Sequence, residues 1–257
     1  MFQFRDPAYS LFDFHRHISE IQQFDEDLKT YNIQNFCVMP SIQAGNFKDY
    51  HQYIKNAKPL LQKYSKRMIS FGFIDFGKSP EENSEILKDF KQQINIKGIK
   101  FHPQQKFELK KKYLKPYFDE IQGVVGNVPV YIHMDWPLTV KNGFAPKGKK
   151  NTFNKIVSWF PETKFIMGHA GGSGDYLDVW KTCKKYPNVY IETSMAPSTA
   201  PLEEVIWKIG PERLLFGSNY PFCSTQVEIT KIQCLTKVTE ADKKRILNSN
   251  GEVFFED

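Results

Sequence analysis

The chain has 257 residues, 40% of them hydrophobic and 25% charged, with 15 glycines and 15 prolines, which excludes a disordered, collagenous or fibrous protein. Its 35 basic and 29 acidic residues give a net charge of +6, but the excess is thinly spread and its densest run, Lys110–Lys112, contains no aromatic residue. We therefore expect no nucleic-acid partner, because a nucleic-acid groove needs a concentrated basic stripe.

Eight apolar runs rich in Val, Ile and Phe recur between amphipathic stretches and predict buried β-strands. In chain order the predicted strands are Leu11–His15, Asn35–Met39, Met68–Asp75, Gly98–His102, Pro129–His133, Lys164–His169, Val189–Thr193 and Leu214–Ser218. Between them lie helical patterns at Ser19–Tyr31, Lys48–Ser65, Pro80–Ile94, Tyr113–Gly123, Thr152–Phe160, Gly174–Tyr186 and Leu202–Ile209. After the eighth strand come Thr225–Lys237 and a last helix that Thr239 caps.

Strands that alternate with helices at intervals of about 25–35 residues form parallel βαβ units with right-handed crossovers. Eight such units predict an α/β fold, a (β/α)8 TIM barrel, as a single domain over residues 1–257. A doubly wound open sheet is the competing arrangement. It would normally carry a glycine-rich phosphate loop after the first strand, and the sequence has none.

Five of the six histidines lie at the C-terminal ends of predicted strands: His15, His17, His102, His133 and His169. Strand ends of this kind converge at the barrel mouth, where barrel enzymes have their active sites. The sixth, His51, lies in a helical pattern, and we expect it to be an ordinary surface residue.

The first two histidines are two residues apart, so both should lie on one face of the first strand with Asp13. Two imidazoles at this spacing can bind one metal ion, at about 2.0–2.1 Å from zinc. The alternative is a set of core histidines satisfied by hydrogen bonds. It is the weaker interpretation, because five buried imidazoles without a ligand would leave many polar atoms to satisfy.

Six segments carry a resemblance to a known family: FDFHRHIS, GIKFHP, VPVYIHMDWP, FPETKFIMGHAGGS, NVYIETS and ERLLFGSNYPF. They occur in the order seen in the amidohydrolase superfamily, and the chain most resembles the amidohydrolase-related branch that includes aminocarboxymuconate semialdehyde decarboxylase. The ending RILNSNGEVFF is similar to the C-terminal helix of that branch.

The resemblance implies roles for individual residues. His15, His17 and His133 match the family's metal ligands, and His169 matches the histidine that polarises the substrate or moves a proton. The family has an aspartate after the eighth strand that binds the metal and takes a proton from its water. This chain has Asn219 there, which makes it a candidate catalytic residue of altered chemistry.

An asparagine offers a neutral carbonyl oxygen and cannot act as a base near neutral pH. Three interpretations follow. The three histidines bind zinc, which lowers the pKa of its water to about 7, while His169 handles protons. The chain is instead catalytically impaired, or it borrows a carboxylate from Asp135 or Glu192, for which an outer hydrogen-bonding role is the alternative.

Four further residues are candidates for substrate binding. Lys100 and His102 share a face. Lys100 would form an ion pair inside the barrel, bind an acidic substrate or, when carboxylated, bridge two metal ions as in some members of the superfamily. His102 would line the pocket or form a hydrogen bond with a loop. Arg16 either packs outward or turns into the mouth and holds a carboxylate. Trp136 belongs to an aromatic rim that suits a small, flat or ring-bearing substrate.

Together these observations predict a hydrolase with one divalent metal ion, zinc, that attacks an ester, lactone or amide bond of a small, acidic or ring-bearing molecule. A non-oxidative decarboxylase of the same superfamily is the alternative, as is a barrel that binds a metal or ligand without turnover.

The cellular setting follows from what the sequence lacks. No stretch approaches the roughly 18 apolar residues of a membrane span, and the first ten residues lack the apolar segment of a signal peptide. The four cysteines form no CxxC pair, which predicts free thiols in the cytoplasm. We expect a small-molecule substrate and no membrane partner, and a homo-oligomer is compatible with the sequence.

Overall fold

The structure, a computed structural model, describes residues 9–41, 49–102, 108–134, 149–172 and 178–256. Eight parallel strands form one sheet in the order β1 to β8. The strands are β1 (Leu11–Arg16), β2 (Ile33–Val38), β3 (Met68–Phe73), β4 (Gly98–Phe101), β5 (Val130–Ile132), β6 (Phe165–Met167), β7 (Val189–Glu192) and β8 (Leu214–Leu215).

Helices follow the strands, as the alternating pattern predicts. They are α1 (Ile21–Thr30), α2 (Tyr50–Lys63), α3 (Pro80–Ile94), α4 (Lys111–Val125), α5 (Lys149–Trp159), α6 (Val179–Lys185), α7 (Ala200–Ile209), α8 (Thr225–Gln233), α9 (Glu240–Lys244) and α10 (Asn250–Phe254). A π-helical turn at Arg245–Ser249 joins the last two. The (β/α)8 barrel is confirmed. No helix among these ranges is long and apolar enough to cross a bilayer.

The sheet closes where the chain beyond β8 returns to β1. Backbone hydrogen bonds of 2.7 Å join Phe14 N to Phe216 O, Asn219 N to His15 O and His17 N to Tyr220 O. The Asp13 side chain adds two more, because its Oδ1 accepts from the backbone N–H of Ser218 at 2.8 Å and of His15 at 3.2 Å. This side chain takes the place of regular pairing, so β8 ends earlier than predicted.

Alternation along the strands divides the core into an outer and an inner part. Ile99, Phe101, Val130 and Ile132 belong to the large cluster that the helices cover. Residues of opposite parity form a smaller cluster inside the barrel together with Phe254 of α10. The other members are Phe12, Phe14, Cys37, Met39, Phe71, Tyr131, Ile166 and Leu215. These side chains fill the barrel interior. All four cysteines are free thiols.

Candidate active site

The two histidines of β1 face each other inside the barrel. Their Nε2 atoms are 3.1 Å apart, and both side chains are buried. The Nδ1 atom of His17 lies 2.9 Å from the carbonyl oxygen of Met39, which can only accept, so Nδ1 carries the proton. The Nδ1 atom of His15 lies 3.1 Å from a Glu192 carboxylate oxygen and is protonated for the same reason. Both Nε2 atoms therefore present lone pairs to one point, which is the arrangement of ligands around a cation.

Asn219 brings a third acceptor to this point. Its Oδ1 lies 3.2 Å from Nε2 of His17, while its Nδ2 donates to Sδ of Met195 at 3.1 Å. The residue has a left-handed backbone with φ of 53°, which asparagine tolerates better than most residues. Two imidazole nitrogens and an amide oxygen thus converge, and this set of donors fits a divalent ion.

Glu192, at the end of β7, lies behind His15 and is fully buried. A carboxylate oxygen of Glu192, a ring nitrogen of His15 and a ring nitrogen of His169 lie within 4.8 Å of one another. The Oε2 atom already accepts from His15, from Tyr131 Oη at 2.9 Å, from Ser194 Oγ at 3.0 Å and from the backbone N–H of His169 at 3.2 Å. These donors engage Oε2, and Oε1 accepts from the backbone N–H of Ser194, so the carboxylate orients His15 and His169.

His169 follows β6 in a left-handed conformation with φ of 54°. A left-handed backbone is uncommon for residues other than glycine, and such residues cluster at functional sites. Its Nδ1 lies 2.9 Å from Ser194 Oγ, whose own proton goes to Glu192, so Nδ1 donates to the serine. Its Nε2 lies 3.0 Å from Nδ1 of His133. His169 is thereby held with Nε2 toward a second imidazole.

His133 and His102 form a stacked pair, with ring centroids 4.2 Å apart. The buried ammonium of Lys100 lies 3.3 Å from Nε2 of His15 and 5.2 Å from the ring centre of Tyr131. The structure therefore brings the five strand-end histidines, Lys100 and Asn219 to one mouth. The role of His133 as a metal ligand stays a prediction, since its Nδ1 faces His169.

The structure corrects the expectation that Arg16 binds the substrate. Its guanidinium is fully buried and pairs with Asp13 at 2.8 Å and with Asp27 of α1 at 2.6 Å. It also lies between the rings of Phe24 and Tyr220, with centroid distances of 5.0 and 4.5 Å. This is the outward-packing alternative. We no longer expect Arg16 to bind substrate, because both of its carboxylate partners belong to the fold.

Other sequence expectations concern the aromatic rim, Asp135 and His51. Trp136 and Asp135 lie outside the described residues, so the aromatic rim stays a prediction there. His51 is exposed on α2, as expected of an ordinary surface residue. Phe222 is 57% exposed, and its ring centroid lies 5.0 Å from that of His17 at the mouth.

Tyr131 and Ser194, which the sequence motifs did not indicate, donate hydrogen bonds to Glu192. Both lie two residues from a residue that the motifs did indicate, Tyr131 before His133 and Ser194 after Glu192. Side chains two apart on a strand share a face, so the same alternation that paired His15 with His17 could have found them. Burial and the neighbouring carboxylate raise the pKa of Tyr131 well above its usual value, which keeps its proton available for Glu192.

Burial, and secondly the ammonium of Lys100, lowers the pKa of His15 and of His17 well below the usual 6.5. In the metal-free protein the unfolded chain takes up protons at these positions below about pH 6.5, whereas the folded chain does not. Their contribution to stability is thus fully present above that pH and is lost as the pH falls. We expect a loss of up to about 1.4 kcal/mol per pH unit for each histidine.

Urea denaturation between pH 7.5 and 5.5 in the presence of a chelator measures this slope. His17→Asn should flatten it, and His51→Asn should leave it unchanged because His51 is exposed. An equal slope in wild type and His17→Asn would show that the buried imidazole is not the cause.

Comparison with known proteins shows the family of the chain. The amidohydrolase family model matches residues 60–256. Gamma-resorcylate decarboxylase of Polaromonas sp. (strain JS666) is 30% identical over 177 residues, which cover 54% of this chain and 53% of that protein. The chain thus spans about half the length of the curated relative that it matches.

Solved structures show the same fold. A 2,6-dihydroxybenzoate decarboxylase from Rhizobium has a TM-score of 0.70 at 18% identity, and the match covers 96% of this chain and 98% of the Rhizobium chain. A 5-carboxyvanillate decarboxylase from Sphingomonas paucimobilis has a TM-score of 0.71 at 13% identity, with coverages of 97% and 99%. A dihydroxybenzoic acid decarboxylase from Polaromonas sp. JS666, with bound manganese and the inhibitor 2-nitroresorcinol, has a TM-score of 0.67 at 17% identity, with coverages of 96% and 97%.

The prediction of a hydrolase is wrong. The curated relative and these structures are decarboxylases, which agrees with the stated alternative. A physical reason lies in Asn219, which cannot take a proton from water as a hydrolytic base would. The family model covers most of the chain and the strand-end residues surround one mouth, so this chain belongs to the amidohydrolase family.

Proposed function

We propose that this chain is a metal-dependent, non-oxidative decarboxylase of a small aromatic hydroxy acid. The observation that carries the proposal is the convergence of Nε2 of His15, Nε2 of His17 and Oδ1 of Asn219 beside a buried lysine. Decarboxylation needs a proton delivered to carbon, and it needs no base to activate water. The substitution of asparagine for the family's aspartate is compatible with that requirement.

The same three atoms would hold the metal, with His133 as the further ligand that the resemblance implies. Bound there, a divalent ion would supply Lewis-acid polarisation of the acid's oxygens. Nitrogen and oxygen donors suit both zinc and manganese. Manganese in the Polaromonas decarboxylase structure makes it the first ion to test beside the zinc expected from sequence.

The proton transfer is assigned to His169. Because its Nδ1 donates to Ser194, its Nε2 is the atom that can carry a proton toward the substrate. That proton joins the ring carbon that bears the carboxylate, the C–C bond then breaks, and its electron pair restores the aromatic ring as carbon dioxide leaves. No water is consumed. Lys100 and His102 face the same mouth and would bind the carboxylate before it leaves.

A direct assay tests the proposal. The metal-stripped protein is supplied with manganese or zinc and with 2,6-dihydroxybenzoate or 5-carboxyvanillate, and carbon dioxide and the phenol are quantified. We expect the two products in equal amounts and only with metal. In D₂O one deuterium should appear on the carbon that lost the carboxylate, because the proton comes from an exchangeable group.

Asn219 motivates one competing function, a barrel that binds the metal and acid without turnover. The Asn219→Asp variant is the matched comparison. Turnover by the variant alone would favour the binding protein, and turnover by the natural sequence would exclude it. Absence of phenol from both proteins with both metals and both acids would contradict a decarboxylase of this substrate class.

A further inference from the structure

Lys100 places an ammonium group against a predicted metal ligand. Its side chain is 1% exposed, and Nζ lies 3.3 Å from Nε2 of His15. That same Nε2 lies 3.1 Å from Nε2 of His17. A positive side chain thus occupies the edge of the site that a metal ion would occupy.

The hydrogen bonds give this contact a direction. His15 has its proton on Nδ1, where Glu192 accepts it, so Nε2 can only accept. An ammonium group can only donate. In the metal-free protein Lys100 therefore donates to the lone pair that a metal would use. A metal ion must displace this hydrogen bond, and once bound it repels the ammonium.

The charge of the site makes an acidic ligand the natural complement. Asn219 offers a neutral oxygen where the resembling family has a carboxylate. Glu192 is the carboxylate that bonds His15, but it lies on the Nδ1 side, with its oxygens engaged by Tyr131 and Ser194. Counting only the described residues, a divalent ion and Lys100 together would leave excess positive charge on the Nε2 side, which a carboxylate from the ligand can neutralise.

We propose that the divalent ion and an aromatic carboxylate bind this chain cooperatively, and that Lys100 couples them by leaving His15 for the carboxylate when the ion binds. The inference rests on the proposed function for the location of both ligands. By linkage, the acid must raise the affinity for the ion by the same factor as the ion raises the affinity for the acid.

The test is equilibrium dialysis of chelator-stripped protein with Mn²⁺, with and without saturating 2,6-dihydroxybenzoate. A protein-free arm corrects for manganese bound by the acid in solution. We expect the acid to tighten Mn²⁺ binding by about 5–150-fold, the usual range of such coupling. Resorcinol, which has the same ring without the carboxylate, should have no effect.

Variants assign the coupling to charge. Lys100→Met should bind Mn²⁺ alone more tightly than wild type and lose the enhancement by the acid, whereas Lys100→Arg should keep most of it. Asn219→Asp should also bind Mn²⁺ alone more tightly and show weaker enhancement, since its carboxylate is already present. Lys97→Met is the matched control, because Lys97 is exposed at the start of the same strand and should behave as wild type.

Two outcomes would overturn the proposal: Mn²⁺ affinity that the acid does not change, or full enhancement in Lys100→Met. Mn²⁺ binding by that variant also reports that its site is folded. Chromatography of the dialysed acid separates the two proposals. Unchanged acid together with coupling supports the cooperative site without decarboxylation of this acid. Absence of coupling while chromatography shows the acid still at a saturating concentration rejects Lys100 as the link and leaves the decarboxylase in place.

Discussion

His17→Ala is expected to lower the rate of the proposed decarboxylation by on the order of 10³-fold, because it removes one of the convergent acceptors and Lewis-acid stabilisation is worth several kcal/mol. The buried Nε2 of His17 faces both His15 and Asn219 at 3.1 and 3.2 Å. Its loss should weaken Mn²⁺ binding as well as turnover. Equilibrium dialysis and initial rates at one equivalent of metal measure the two effects separately.

The exposed His51 provides the control, since His51→Ala removes an imidazole without touching the mouth. It should bind metal and turn over as wild type does. If His17→Ala retained wild-type Mn²⁺ affinity, the cation would have to bind elsewhere, and the convergence of the first-strand nitrogens would have another explanation.

Glu192→Gln is expected to weaken metal binding by about 10–100-fold, the usual cost of removing an outer carboxylate that orients a ligating histidine. The carboxylate accepts hydrogen bonds from His15, Tyr131 and Ser194. An amide has one acceptor oxygen, so its NH₂ group must face some of these donors. His15 would then lose the partner that keeps its proton on Nδ1 and its lone pair on Nε2.

Two controls separate this orienting effect from a general loss of packing. Glu203→Gln alters a half-buried carboxylate of α7, one that accepts from the backbone N–H and the hydroxyl of Thr236, and should leave Mn²⁺ affinity unchanged. Gly217→Ala should resemble Glu192→Gln, because a Cβ at that position would collide with Glu192 Oε1 and with His15. Unaltered Mn²⁺ binding in Glu192→Gln would mean that the carboxylate does not set the histidine's tautomer.

The strand and helix order was predictable because each repeat combines a short apolar run with an amphipathic stretch. Pro80 illustrates this: Ser79 and Glu82 form a capping box, and the helix begins at the predicted residue. Strand ends were less predictable. β8 ends at Leu215 rather than Ser218, since a side chain from β1, Asp13, bonds the backbone there, and a contact between the two ends of a sequence leaves no local pattern.

The site was predictable to the level of its histidines. Strand-end position placed His15, His17 and His169 together, but it could not decide which way Arg16 points. That side chain turns outward because β1 carries irregular register between Asp13 and Arg16, and because Asp27 of α1 supplies a partner. Residue spacing could not decide the reaction class either, because a fold does not fix the chemistry of the site that it carries.

The closure of the barrel between β1 and the chain beyond β8 links the site to the completion of folding. His15 and His17 reach the site from the first strand, and Asn219 reaches it from the chain that follows the last strand. Backbone hydrogen bonds across this closure join the two segments. A chain emerging from the ribosome has its two imidazoles early, yet it lacks the third acceptor until residue 219 has been made. Metal uptake would accordingly come late in biogenesis. The bound ion would stabilise the junction between β1 and the chain beyond β8, which joins the two ends of the barrel sequence.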